Sequence, residues 1–392
     1  MEGDFIKINK LLLPFSWLYG LGVGFRNFLF DMRVLKSRSF DVPVISVGNI
    51  TVGGTGKTPH VEYLVRLLQK KLRVAVLSRG YKRKTRGFVL ADDSTTVAQI
   101  GDEPYQMKQK FGNVTVAVDK KRVHGIEQLT SQDTNLDVVL LDDAFQHRYV
   151  KPGINILLVD YHRLIIYDKL LPAGRLREPL SGKNRADIVI VTKCPKDLKP
   201  MDYRVITKAM DLFPHQHLYF TTLNYGKMYP LYNNIKGMRA IEQIGADEHV
   251  LLLTGIASPK QLQIDLAPYA SQLTTLTFPD HHNFRKKDIR RLNELFEKMP
   301  APKCIITTEK DAARLKTNGN GLSEEVRKSI YALPVEVQFM QEQEASFNEN
   351  IIGYIRKNSR NSILTKAKDG QKAKRDSHPS ESNPRTISFR NN

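Results

Sequence analysis

The sequence predicts an α/β fold: a mostly parallel sheet with helices on both faces, followed by a second, smaller α/β domain. Two observations predict it. At residues 42–58, VPVISVGNITVGGTGKT, an apolar β-branched run breaks into a glycine-rich turn that opens a helical pattern. Further β-type runs then follow at 73–78, 114–119, 136–141, 154–160 and 187–192, separated by helical or loop stretches. A run at 218–223 adds one more strand.

Ahead of the sheet, Leu11 to Phe30 is apolar and aromatic apart from its glycines and Ser16, Arg26 and Asn27. Lys7 and Lys10 precede it, and Arg33, Lys36 and Arg38 follow. A secretory signal would need a small-residue cleavage site, which does not follow. A spanning helix is weakened by Pro14, the glycines, Arg26 and basic flanks at both ends. An interfacial segment would lie in the membrane plane, with Trp17, Tyr19 and Phe25 at headgroup depth. The plainer alternative is a hydrophobic helix packed on the domain. Interfacial attachment is the preferred reading.

The glycine-rich turn is a phosphate-binding pattern. Gly53, Gly54 and Gly56 let the backbone approach a polyphosphate and turn its amides toward the oxygens. Lys57 offers an ammonium to the outer phosphates and Thr58 a hydroxyl to Mg²⁺. The helical pattern that follows places the phosphates at a helix N-terminus. Thr51, Val52 and Thr55 complete the loop, with Thr51 standing where the usual pattern has glycine. The strand Val138–Leu141 then ends in Asp142 and Asp143, where a neighbouring strand must supply an acid for Mg²⁺ or its water. Gly101-Asp102-Glu103-Pro104 falls on the same rim. Asp102 or Glu103 there is a metal ligand or general base, or merely an acidic helix start. In Phe278-Pro279-Asp280-His281-His282-Asn283, two histidines beside an aspartate ligate a metal, orient a base, or sit in a solvated loop.

Two absences narrow the class. A guanine-reading motif is spoiled at Thr192-Lys193-Cys194-Pro195 by the proline and at Thr308-Glu309-Lys310-Asp311 by its spacing. Val52 stands where some dimeric ATPases carry a second lysine. The formal charge of +19 over 392 residues predicts attraction to a polyanion, whether nucleic acid, anionic lipid or a phosphorylated substrate. Cys194 and Cys304 lack CxxC spacing, which argues against a zinc site or a disulfide framework.

Near residue 225 the character changes. A linker strand at 228–233 and a turn at 237–239 lead into strands at 249–254, 273–277, 303–308 and 331–337, with helices from 259 and over 285–299. The expected organisation is a membrane-interacting segment at 1–38, a P-loop domain at 39–224, a linker and smaller α/β domain at 225–345, and a helix end with a basic tail at 346–392. The tail beyond Lys357 has the composition of a disordered segment.

In order along the chain, VGNITVGGTGKTP, SRGY, GDEP, LDDAFQHR, LPAGRLRE, FPDHHNF and TEKDA resemble the motifs of the tetraacyldisaccharide 4'-kinases, as does LLLPFSWLYG at the start. The resemblance spans roughly residues 5–345. It implies a P-loop kinase domain joined by a β-ribbon linker to the smaller domain. It also implies a peripheral enzyme on the cytoplasmic face of the inner membrane; the two absences above favour a monomeric site, and no RNA or DNA motif is recognisable, so no nucleic acid is expected. ATP would phosphorylate the 4'-hydroxyl of a tetraacyldisaccharide 1-phosphate, with Mg²⁺ as cofactor. Lys57 and Thr58 would serve phosphate and metal, with Glu103 and Asp143 in the metal shell. Asp102 would be the general base, partnered by His281. Tyr81, Arg122, Asp142, His147, Arg177 and Glu178 would lie near the donor phosphates or the acceptor head group, with Arg177 stabilising the transferring phosphoryl group. The alternative is a P-loop ATPase that couples hydrolysis to a protein partner. Only net charge suggests a nucleic-acid-binding ATPase.

Overall fold

In the computed structural model, which describes residue 6 and residues 8–232, 237–256, 259–280 and 282–358, the chain builds two sheets. The first uses β1 (Val44–Gly48), β2 (Val74–Ser78), β3 (Val89–Leu90), β4 (Thr115–Val118), β5 (Val138–Asp142), β6 (Ile154–Asp160), β7 (Ile188–Thr192) and β8 (His217–Tyr225). The second uses β9 (Tyr229–Pro230), β10 (His249–Thr254), β11 (Gln272–Thr277), β12 (Lys303–Thr308) and β13 (Ile330–Leu333). A last strand, β14 (Val335–Phe339), returns to the first sheet.

The large sheet runs β14-β8-β7-β6-β1-β5-β2-β4-β3, parallel except at its two edge strands. Its inner strands are apolar on both faces because both faces are covered. Ile45 and Val47 pack with Val61, Leu64, Val65 and Leu68 of helix α2 (Lys57–Leu68) and with Phe347 and Ile351 of the C-terminal helix at 344–358. That i, i+3, i+4, i+7 spacing is why α2 lies flat on the sheet. The other face buries Leu77, Leu141, Leu157 and Val189. From β1 the crossovers run first toward β2 and β4, then back toward β6, β7 and β8. The carboxyl ends of β1 and β5 therefore open into the crevice where such sheets bind ligands.

The expectation of one strand at 331–337 is not met. Pro334 cannot donate to a ladder, and the run divides there. Ile330–Leu333 pairs with β12 in the small sheet, while Val335 onward pairs antiparallel with β8 in the large one. The chain thus leaves the large sheet after Tyr225 and re-enters it five strands later at Val335, opposite the same Tyr225.

At the N-terminus, helix α1 (Leu13–Asp31) starts with Pro14 in its first turn, where a missing N–H costs nothing. Among the described residues no helix is long and apolar enough to cross a membrane. The basic tail from 359 onward lies outside the described residues.

Candidate active site

The glycine-rich loop joins β1 to α2 with left-handed backbone at Gly53 (φ 128°) and Gly56 (φ 80°), positions a side chain would strain. Its carbonyls are drawn outward. Thr192 Oγ1 donates to the Thr55 carbonyl at 3.0 Å, and Lys193 Nζ donates to that of Gly54 while pairing with Asp160 at 2.7 Å. The Asn49 amide donates to Thr55 Oγ1 at 3.0 Å. Among the described residues, the amides of Gly53, Gly54, Thr55 and Gly56 make no backbone hydrogen bond. Free N–H groups at a helix N-terminus form an anion cradle. Beneath it, buried His60 holds the Gly56 carbonyl at 2.8 Å and Thr221 at 3.1 Å, and burial lowers its pKa to about 4. Lys193 and Asn49 are loop supports that the sequence reading did not single out. Lys193 was visible only as part of a spoiled guanine motif.

Asp143 stands beside the loop with φ 49°, its Oδ1 3.5 Å from both Lys57 Nζ and Arg177 Nη2. Burial opposes its ionisation, but Lys57, Arg177 and Arg122 outweigh that and hold its pKa below the ordinary range. Asp142 behaves oppositely. Burial, then Glu103 and Asp143, push it up to about 7 against Lys57 and Arg122. Its Oδ1 is buried without a hydrogen-bond partner. Asp142, repelled by Glu103 and Asp143, together with those two carboxylates and the buried Thr58 hydroxyl, offers the hard oxygen donors that suit Mg²⁺. Among the described residues, no group of three His, Cys, Asp or Glu can hold a metal unaided. An ion here would share phosphate oxygens and water, as Mg²⁺ usually does.

The other acids are held from the second sheet. Helix α3 (Asp102–Lys110) presents Asp102 and Glu103 from its first turn to helix α4 (Glu309–Asn318), which follows β12. Arg314 Nε and Nη2 donate to Asp102 Oδ2 at 3.0 and 2.7 Å, and Nη1 donates to Asp311 Oδ1 at 2.8 Å and the Gly255 carbonyl at 3.1 Å. The guanidinium is fully enclosed, at 1% exposure. Lys310 Nζ reaches Glu103 Oε1 at 2.5 Å. The sequence reading gave neither cation a role, although both lie in or beside TEKDA and share a helix face at i and i+4. His281, the expected partner of Asp102, lies outside the described residues. Its neighbour His282 contacts Asp288 at 2.9 Å and stacks on Phe278.

The remaining expected residues scatter around this centre. Tyr81 is exposed on the rim after β2, with Lys82 over its ring. Arg122 is buried behind Asp142, donating to the carbonyls of Asp119 at 2.8 Å and Asp142 at 3.2 Å, and burial lowers its pKa to about 10. It braces the acidic turn rather than facing the crevice. His147 is half-buried, its pKa lowered to about 4 by burial and then by Arg122, Arg26 and Arg79. Glu178 is buried against Arg185 at 2.8 Å, one oxygen unpartnered. Arg177 reaches the loop itself, donating to Asn49.

A phosphate cradle facing acids that a separate sheet holds in place is the arrangement of a P-loop phosphotransferase, which must grip one substrate and bring a base to another. A family model described as tetraacyldisaccharide-1-P 4'-kinase matches residues 8–356. A tetraacyldisaccharide 4'-kinase of Phocaeicola vulgatus is 60% identical over 365 residues, covering 92% of this chain and 99% of the relative. That of Porphyromonas gingivalis is 45% identical, covering 90% and 99%. The crystal structure of LpxK from Aquifex aeolicus in complex with ATP superposes with a TM-score of 0.68 at 29% identity, covering 88% of this chain and 98% of that one. The chain belongs to the tetraacyldisaccharide 4'-kinase family.

Proposed function

We propose that the chain transfers the γ-phosphoryl group of ATP to the 4'-hydroxyl of a tetraacyldisaccharide 1-phosphate, the phosphorylation step of lipid A synthesis that its family carries out. The observation that supports this chemistry best is the loop of amides at 53–56 that make no backbone hydrogen bond, beside Asp142 and the carboxylates of Glu103 and Asp143 that act on it. The amides and Lys57 grip the triphosphate. Thr58, Glu103, Asp142 and Asp143 are the residues to hold Mg²⁺, which when bound neutralises charge on the phosphate oxygens.

A sugar hydroxyl is a poor nucleophile, so the base must be aimed. Asp102, aimed by Arg314 through its Oδ2, is the carboxylate to take the acceptor's proton. Arg177 and Lys57 stabilise the charge that spreads over the transferring group. Because Asp102 and Glu103 are held by α4 of the second sheet, the base is set in place only when the two parts of the molecule are together, which limits transfer to water.

Helix α1 supports a monotopic attachment at the cytoplasmic face of the inner membrane. Trp17 is 80% exposed, and Leu11, Leu18, Leu21, Phe25 and Phe28 are exposed with it. An acceptor with four acyl chains does not leave a bilayer readily, since each buried CH₂ is worth about 0.8 kcal/mol. The enzyme would therefore work at the surface, as a monomer and without nucleic acid. We read residues 39–224 as the nucleotide domain and the insertion from 225 as the part that completes the base.

Labelled ATP and purified protein, assayed with tetraacyldisaccharide 1-phosphate, with an acylated monosaccharide and with no acceptor, test the proposal. Label should pass only to the disaccharide. Hydrolysis of equal rate in all three would instead favour an ATPase coupled to a protein partner.

A further inference from the structure

Helix α1 has a second face. Ser16, 4% exposed, donates to the Leu170 carbonyl at 2.9 Å and accepts the Ala173 N–H at 2.9 Å. Tyr19 donates its hydroxyl to the Arg177 carbonyl at 2.7 Å. Burial raises the pKa of that phenol, so it keeps its proton and stays a donor. At Gly20 a Cβ would stand 2.8 Å from Leu170 Cδ1, so no larger residue fits without a shift. The helix is seated on the segment 168–178 by these contacts, and among the described residues nothing covers its outer face.

The same segment is bonded on its other side to the phosphate loop. Arg177 N–H donates to the Ile50 carbonyl at 2.8 Å, Val52 N–H donates to the Arg175 carbonyl at 2.8 Å, and Thr51 bridges to Leu176. Residue 177 is therefore held at both ends of its backbone, by the phosphate loop at its N–H and by α1 at its carbonyl. Its guanidinium ends beside Asn49 and Asp143. An arginine carries several freely rotating bonds, so its head group is placed no better than its backbone.

We propose that Tyr19 and Ser16 are positioning residues for phosphoryl transfer: through them, a helix resting on a lipid surface sets the backbone of Arg177 and so its guanidinium beside the phosphate loop. The lipid surface in this statement rests on the interfacial reading of α1 given above. Neither side chain touches a reacting atom. Each acts through the segment 168–178.

Tyr19→Phe removes one hydroxyl and leaves the outer face intact. The full-length enzyme is assayed with acceptor in vesicles of phosphatidylethanolamine and phosphatidylglycerol, and vesicle partitioning is measured in parallel. The expected result is a kcat lower by about ten- to a hundredfold, with partitioning and the KM for ATP unchanged. Ser16→Ala should fall in the same direction, which guards against a fault peculiar to one variant. A purely structural role would lower the melting temperature and the folded fraction while leaving kcat per folded molecule alone. Wild-type kcat in both variants, or a loss of kcat matched by lost partitioning, overturns the proposal. The double variant Trp17→Glu with Leu21→Glu examines the surface separately and should lose partitioning. If that variant partitions normally, the lipid surface drops out and α1 is a structural brace, while a lowered kcat in Tyr19→Phe still upholds the positioning role.

Discussion

The two acidic corners of the crevice are built differently. Asp142 and Asp143 are fixed by their own sheet: β5 carries them, Arg122 braces the turn from behind, and Lys57 and Arg177 face Asp143 across a few ångströms. Asp102 and Glu103 begin a helix of the same sheet, but their cations come from α4 of the other. The corner beside the glycine-rich loop is self-sufficient, and the Asp102–Glu103 corner is completed from outside. A kinase gains from that division, since the donor can be bound while the base is still imperfectly aimed.

The strongest way to break the comparison is to remove one charge from each corner. Lys57→Ala should cut kcat by about 10²- to 10³-fold and Asp102→Asn by about 10²- to 10⁴-fold. ATP binding, followed by calorimetry, should weaken in the first and persist in the second. Equal loss of ATP affinity would show that the corners are not separate.

Arg314→Gln comes next. It strips the guanidinium from Asp102 and Asp311 at once, leaving buried carboxylates uncompensated at a cost of about 3–5 kcal/mol. A clear drop in melting temperature is expected, with transfer slowed about ten- to a hundredfold. Lys57→Ala should melt close to the wild type. If Arg314→Gln melts unchanged, the second sheet does not hold the base.

His60 tests the self-sufficient corner through pH. It is neutral in the fold with a pKa of about 4, against an ordinary 6.5 once unfolded. The unfolded chain therefore binds the extra proton, so stability is full above about 6.5 and falls as pH drops toward 4. At pH 5 the loss is about 2 kcal/mol. Melting curves at pH 7.5 and 5 should show this loss in the wild type and a smaller one in His60→Gln. The smallest effect belongs to Lys310→Gln. Its pair with Glu103 is partly exposed on both sides, so stability should change by about 1 kcal/mol or less. A large loss there would place more weight on the clamp than Arg314 alone carries.

These contrasts also mark what could be read from the sequence. The phosphate loop and Asp142-Asp143 were legible because each is a contiguous stretch whose strand sets its position. Arg314 was not, because it meets Asp102 across 212 residues and nothing local says which helix lies opposite. The i, i+4 pair of Lys310 and Arg314 announced a charged helix face without naming its partner. Arg122 was expected near the ligands on a motif, and its guanidinium bonds the carbonyls of Asp119 and Asp142, contacts that no local pattern in the sequence shows. Pro334 was readable as a strand breaker, but which sheet each half would join depended on pairing that sequence does not record.

That proline has one more consequence. Tyr225 and Val335 stand opposite each other in the ladder, and Gly226 N–H bonds the Pro334 carbonyl at 3.0 Å. The whole smaller unit is thus spliced into what would otherwise be an ordinary hairpin between β8 and β14. Cutting it out and joining the two strands with a short Asn-Gly turn should leave a nucleotide-gripping core that folds alone. Such a minimal piece would bind ATP but lack the Lys310 and Arg314 cations that hold Glu103 and Asp102.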